Sequence, residues 1–223
     1  MREIILDTET TGLDPDSGHR VVEIGCIELV NRIATGDKYH TYINPERDMP
    51  TAAFEVHGLS SEFLARHPRF AEVAEDFLAF IGDSPLVIHN AEFDLNFLDA
   101  ELKRLGRPPL GRDNVVDTLA MARSKFPGSP ASLDALCRRF AIDASGRERH
   151  GALLDAELLA EVYLELNGGR EPALGLGEAA AEIQTAAEKR PRAPRPHAAS
   201  EAEIEAHRRF LERLVKDPLW FAS

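Results

Sequence analysis

The run Ile4-Ile5-Leu6 ends on Asp7-Thr8-Glu9, so a strand apolar enough to be buried turns acidic at its last positions. Successive side chains of a strand alternate faces, which places Asp7 and Glu9 on one face, two residues apart. Two carboxylates that close repel unless water or a cation neutralises them. A fold built round this strand carries two carboxylates at one end of its sheet, a place for a functional site, although Asp-x-Glu also occurs on ordinary exposed strands. VVEIGCIELV (21–30) and KYHTYIN (38–44) are further strand-like runs, with a connection through Thr35-Gly36-Asp37. FAEVAEDFLAFIG (70–82) has helical spacing, PLVIHN (85–90) is a short strand, and EFDLNFLDAELKRL (92–105) is a helix stopped by Gly106. A strand near Val115-Val116 and helices near 118–125, 132–140 and 151–166 complete the core. Strands first, then strands alternating with helices, predict an α/β fold with a mixed central sheet flanked by helices.

Beyond Gly169 the composition changes. GEAAAEIQTAAEK is rich in Ala and Glu, and KRPRAPRPHAAS carries three prolines among basic residues, the composition of a flexible linker. A second periodic segment follows, with Ile204, Leu211, Leu214 and Val215 on one face and Trp220-Phe221 near its end. A single amphipathic helix cannot bury its own apolar face, so this segment is expected to dock on a partner. The expected organisation is a catalytic domain over 1–169, a linker over 170–199 and a binding segment over 200–223.

The formal net charge is −12, and residues 171–223 hold 8 basic and 9 acidic residues, so nearly all the excess lies in the first 170. That excludes a protein holding nucleic acid by a basic surface, since such binding rests on counterion release by Lys and Arg. Cys26 and Cys137 lie singly in apolar segments, with no paired spacing for zinc or a disulfide framework. The N-terminus lacks the apolar stretch and small-residue cleavage site of a signal peptide, and the expectation is a cytoplasmic protein.

Two further motifs carry chemistry-bearing residues. His89-Asn90-Ala91-Glu92-Phe93-Asp94 places a carboxylate in the first turn of a helix, and His150-Gly151-Ala152-Leu153-Leu154-Asp155 places one a turn inside the last core helix. Each alone has an ordinary explanation. Carboxylates are favoured at helix starts by the macrodipole and the free N–H groups, and a histidine before a helix serves equally well as a surface residue.

The three motifs in this order resemble the DEDDh exonucleases of the ribonuclease H-like superfamily. The resemblance implies that Asp7, Glu9, Asp94 and Asp155 hold two divalent cations, Mg²⁺ or Mn²⁺, and that His150 is the general base. It implies a 3′-to-5′ exonuclease releasing nucleoside 5′-monophosphates. The residue types suit that chemistry, because hard cations prefer carboxylate oxygen and a histidine titrates near working pH. Within the superfamily, LDTETTG, FEVHGL, VIHNAEFD, SLDALCRRF and HGALLDA are similar to the DnaQ-type epsilon family, the proofreading subunits of bacterial DNA polymerase III, over nearly all of 3–169. That likeness implies a pocket for the terminal nucleotide of a DNA 3′ end shaped by Glu9, His57, Asn90 and Phe93. At Ala52 the family often has an acidic residue, so this sequence departs from it there. The likeness also implies that the tail binds the polymerase alpha subunit through Leu211, Leu214, Trp220 and Phe221. EPALGLGE stands where such subunits carry a sliding-clamp motif, but the glutamine and terminal aromatic are missing, so clamp contact should be weak. A theta-like accessory subunit stays open. Two rival readings are an RNA-trimming enzyme of the same set, which would not need the tail, and a non-catalytic structural subunit, which would not need the five polar residues.

Overall fold

A computed structural model describes residues 1–146, 149–169 and 198–214. The chain divides into two units, Met1–Ala173 and Leu174–Ser223.

In the first unit, strands β1 (Arg2–Thr10), β2 (Val21–Val30), β3 (Ile33–Tyr42), β4 (Leu86–Ile88) and β5 (Val115–Asp117) form one sheet in the order β3-β2-β1-β4-β5. The β1–β2 and β2–β3 pairs are antiparallel, while β1–β4 and β4–β5 are parallel. Helices α1 (Thr51–His57), α2 (Ser61–Leu64), α3 (Phe70–Ile81), α4 (Ala91–Arg104), α5 (Thr118–Lys125), α6 (Leu133–Phe140) and α7 (Ala152–Leu166) complete it among the described residues. This is the mixed, helix-flanked sheet of the ribonuclease H-like fold.

The alternation along β1 sorts the core into two halves. Ile4 and Leu6 pack with Phe70, Phe77, Leu95 and Leu98 of α3 and α4. Ile5 belongs to the opposite cluster, with Leu136 of α6 and Leu159 and Val162 of α7. By the same alternation Asp7 and Glu9 fall on the α7 side and Thr8 on the α4 side. Cys26 and Cys137 are both buried, one in each half of the core, and burial pushes the Cys26 thiol well above its usual range.

Two local features differ from the sequence expectation. The β2–β3 connection is a two-residue loop at Asn31-Arg32, both with positive φ (52° and 65°), between the paired Val30 and Ile33. Such a left-handed pair matches the twist of flanking strands, and Asn accepts it readily. Thr35-Gly36-Asp37 lies inside β3, at an irregularity of register where Gly36 has φ 97°. The helix α1 was not anticipated, although Pro50 before it and Gly58 after it, in the left-handed conformation, bracket it.

The second unit is described only in α8 (Glu201–Leu214) and the residues leading into it. Ser200 caps it: its hydroxyl accepts from the Glu203 N–H, and the Glu203 carboxylate accepts from the Ser200 N–H at 2.8 Å. Ile204 and Phe210 are exposed on this helix and Leu211 is half-buried. No helix among the described residues is long and apolar enough to cross a membrane.

Candidate active site

The acidic end of β1 is held by its neighbours on both sides. Asp7 pairs across to Gly25 and Glu9 to Glu23 on β2, and the register slips just after Glu9, so the strand bends away where the carboxylates stand. Glu23 is buried and hydrogen-bonded to His40 Nε2 on β3 at 2.8 Å, which keeps a second carboxylate satisfied beside Glu9.

Asp94 approaches from the other face. Asn90, at φ 68° and ψ 54°, turns the chain from β4 directly into α4, a conformation that asparagine tolerates better than most residues. Asp94 therefore sits in the first turn of α4, 3% exposed, and its Oδ1 accepts from both the Thr8 N–H (3.0 Å) and the Thr8 hydroxyl (2.7 Å). Burial raises its pKa to about 7, against the pull of those two bonds, and the Asp117 charge adds a little. A buried carboxylate with that proton affinity is a group that a cation would return to its charged form.

Asp155 reaches the same strand end from α7. Gly151 precedes the helix in extended conformation, its carbonyl accepting from the Asp155 N–H at 2.9 Å. Asp155 is buried, and its Oδ2 lies 3.1 Å from His150 Nδ1. The His150 main-chain N–H donates to Val56 O at 3.3 Å, tying this loop to α1. With Asp155 ionised, Nδ1 carries the imidazole proton and Nε2 keeps its lone pair. The His150 side chain is about half exposed (48%).

Ligand atoms of Glu9, His150 and Asp155 all lie within 4.8 Å of one another. Asp7 lines a cleft with His150 and Asp155. Asp94 is outside that close group, because it reaches β1 at Thr8, on the other side of the strand. The carboxylates of Glu9 on β1 and Asp155 on α7 that converge with His150, with Asp7 in the adjoining cleft, fit a divalent cation as a resident cofactor.

Two clefts meet at these residues. The first, about 660 Å³, is lined by Glu9, Thr10, Ala52, Val56, His57 and Phe93 among others, mostly apolar surface between β1 and α1. Ala52 offers it a methyl group where an acidic side chain was the alternative. His57 is buried. Its Nδ1 accepts from the Leu59 N–H at 3.0 Å, so Nε2 carries the proton, and Nε2 faces the Thr10 carbonyl without a well-formed hydrogen bond. Burial lowers the His57 pKa, which keeps the ring neutral near pH 7. Phe93 stacks against Phe97 with centroids 5.1 Å apart. The second cleft, about 490 Å³, is lined by Asp7, His89, Asn90, Arg123, His150 and Asp155 among others.

A cluster of carboxylates with an adjoining histidine, open to a nucleotide-sized apolar cleft at the end of a mixed sheet, defines a metal-dependent nuclease. The family model described as Exonuclease matches residues 4–163, and the chain belongs to that exonuclease family, in the group of the DNA polymerase III epsilon subunits. It is 52% identical over 224 residues to the DNA polymerase III subunit epsilon of Rickettsia felis, covering 97% of this chain and 98% of the relative. To the subunit epsilon of Escherichia coli K12 it is 50% identical over 177 residues, 76% of this chain and 72% of the relative. Among solved structures, the nuclease domain of 3′hExo, a DEDDh family member bound to rAMP, has a TM-score of 0.63 at 18% identity, covering 77% of this chain and 94% of that one. Exonuclease X in complex with 5′ overhanging duplex DNA has a TM-score of 0.58 at 22% identity, covering 74% and 90%. At those identities the structures speak to the fold alone.

Of the residues singled out in the sequence, Asp7, Glu9, Asp94, His150, Asp155, His57, Asn90 and Phe93 all line the two clefts or hydrogen-bond to their walls. The tail anchors fare differently. Leu211 lies on α8, Leu214 is described only in its backbone, and Trp220 and Phe221 fall outside the described residues, as does EPALGLGE. Sequence reading missed Thr8, whose amide and hydroxyl hold Asp94, and Gly25. Position 8, between two acidic positions of one strand, was the available signal for the first. The second had none.

Proposed function

We propose that this exonuclease edits the 3′ end of a DNA primer for a DNA polymerase III, with two Mg²⁺ or Mn²⁺ ions held by Asp7, Glu9, Asp94 and Asp155. The observation that carries the proposal is the convergence of Glu9, His150 and Asp155 within 4.8 Å at the junction of the two clefts. When bound, such cations polarise the phosphodiester and offset charge on the attacking and departing oxygens.

The chain's own residues supply the rest. The apolar cleft takes the 3′-terminal nucleoside, with Phe93 and Val56 against its flat and hydrophobic parts and His57 in the wall beside it. Glu9 borders that cleft and accepts from the sugar hydroxyl, and Asn90 borders the other side of the scissile phosphate. His150 Nε2 takes the proton of the attacking water, while Asp155 on Nδ1 fixes the ring and stabilises the imidazolium. The product is a nucleoside 5′-monophosphate.

The relatives bear the name of a polymerase subunit, and the Rickettsia protein matches this chain over nearly its full length, tail included. A polymerase alpha subunit is the proposed partner for residues 200–223, through Leu211, Leu214, Trp220 and Phe221, with 170–199 as the spacer after the 1–169 nuclease. Contact with the sliding clamp is proposed to be weak, and a theta-like subunit is an additional candidate. Cytoplasmic placement follows from work on the replicating chromosome.

The test compares hydrolysis of a mismatched DNA primer terminus, a matched one and short RNA, in Mg²⁺ and in Mn²⁺. Faster removal of the mismatched deoxynucleotide is expected; a strong RNA preference would point to an RNA-trimming enzyme. In parallel, removing residues 201–223 should leave hydrolysis of single-stranded DNA within about twofold while abolishing co-elution with the alpha subunit. Persistent co-elution would move the tether elsewhere.

A further inference from the structure

We propose that Arg123 anchors the phosphate immediately upstream of the scissile one, making it a specificity-determining residue for strands longer than a dinucleotide. The inference rests on the exonuclease reading of the site. If the terminal nucleoside fills the cleft of Glu9, His57 and Phe93, and the scissile phosphate lies at Glu9 and Asp155, the rest of the strand leaves through the second cleft. That cleft continues from the same carboxylates past His89, Asn90, Arg123 and Ser132.

A strand passing there brings a phosphate for every nucleotide into a wall made acidic by Asp7 and Asp155, in a chain of net charge −12. Arg123 is the only Lys or Arg lining either cleft among the described residues. It makes no ion pair among those residues, despite the chain's excess of carboxylates. Neighbouring cations are engaged: Lys125 Nζ donates to Leu166 O at 2.9 Å, and the Arg139 guanidinium stacks 4.3 Å from the Phe126 ring. Arg123 is exposed, and its charge, after the larger effect of burial, helps hold His89 below the usual histidine range, which places it beside that imidazole in the cleft.

Its backbone is fixed relative to the metal-binding residues. Asp117 caps α5 by accepting from the Leu119 and Ala120 N–H groups, and the same carboxylate oxygen accepts from the Asn90 N–H at 3.2 Å. The start of α5 is thereby bound to the start of α4, which carries Asp94. Ala122, next to Arg123, is fully buried and holds the helix down. A planar guanidinium on a fixed helix suits a phosphate that must be placed in register with the bond being cut.

The experiment is a double-substitution cycle with the full chain. Two thymidine trinucleotides are compared, one natural and one whose upstream linkage is a neutral methylphosphonate, with the unaltered chain, Arg123→Gln and Arg123→Lys. The neutral linkage should lower kcat/KM of the unaltered chain about tenfold, as expected for losing a charge-assisted hydrogen bond. For Arg123→Gln the two substrates should differ less than about twofold, with Arg123→Lys between. The dependence of log kcat/KM on log salt should also flatten by about 0.7 for one phosphate contact on a single strand. An undiminished penalty for the neutral linkage in Arg123→Gln overturns the anchor, and so does the absence of any penalty in the unaltered chain. An unaltered chain inert on both trinucleotides overturns the exonuclease reading itself, and the anchor with it.

Discussion

Replacing Asp94 by asparagine is expected to cost at least about a thousandfold in cation-dependent nucleotide release while leaving the metal-free protein more stable than before. The two effects have one origin. Asp94 Oδ1 accepts from the Thr8 amide and hydroxyl, and an asparagine Oδ1 can accept both, so the local hydrogen bonds survive Asp94→Asn. What disappears is a negative charge at a fully buried position, where burial has already raised the pKa to about 7 from 3.8. Because the folded-state value lies above the unfolded one, the stability it contributes is complete below about pH 3.8 and lost as the pH rises through 7. Above pH 7 the metal-free protein carries the full cost of the buried charge. Asp94→Asn removes that cost, so in EDTA its melting temperature should exceed the parent's at pH 8 by about 2–4 °C per kcal/mol recovered, and by less at pH 5. A divalent cation offsets the same charge, so Mn²⁺ at pH 8 should raise the parent's melting temperature and scarcely move the variant's. Loss of several kcal/mol of charge stabilisation accounts for the rate. Hydrolysis within tenfold of the parent would remove Asp94 from the cation site, and a melting temperature below the parent's at pH 8 would show that its charge is not the liability inferred.

How far this site was legible in the sequence depends on how far each residue's environment is local. The face shared by Asp7 and Glu9 follows from strand periodicity, and Ile4 and Leu6 against Ile5 gives the two halves of the core from the same rule. The helix starts at Asn90 and Gly151 carry Asp94 and Asp155 at readable positions. What sequence pattern could not give is why Asp94 holds a raised pKa, since its burial exists only in the assembled fold, nor that the Thr8 N–H and Oγ1 that oppose the rise come from 86 residues earlier in the chain. Nor could it give the tie from the His150 N–H to Val56, which needs α1, a helix whose exposed Phe54 and Val56 and uncapped start blur the usual amphipathic and capping signals. The β2–β3 turn went astray for a related reason. Thr35-Gly36-Asp37 has turn composition, yet the left-handed pair Asn31-Arg32 closes the hairpin and the glycine serves an irregularity within the strand.

Gly25 is the residue whose role only the assembled fold reveals, and Gly25→Val is expected to lower activity about a hundredfold with all cation-holding side chains intact. Gly25 stands on β2 opposite Asp7, and a Cβ built there would lie 2.4 Å from the Ala152 carbonyl carbon and oxygen and from the Leu153 nitrogen. Those are backbone atoms at the first turn of α7, so no side chain can rotate away to make room. The helix must move off the sheet at the end that carries His150 and Asp155. Its far end stays pinned by Leu159 and Val162 in the core and by Tyr163, whose hydroxyl donates to Glu3 at 2.7 Å. The result is a tilt that separates Asp155 from Glu9. Overpacking of this kind costs about 1–3 kcal/mol of stability, and a misplacement of about 1 Å in a reacting group costs on the order of a hundredfold in rate. Unlike the loss in Asp94→Asn, this one leaves every charge in place, so excess Mn²⁺ should still stabilise the variant against heat without restoring its rate. A Gly25→Val protein with parental melting temperature and more than about a tenth of parental kcat would show that α7 can seat Asp155 despite a side chain at position 25.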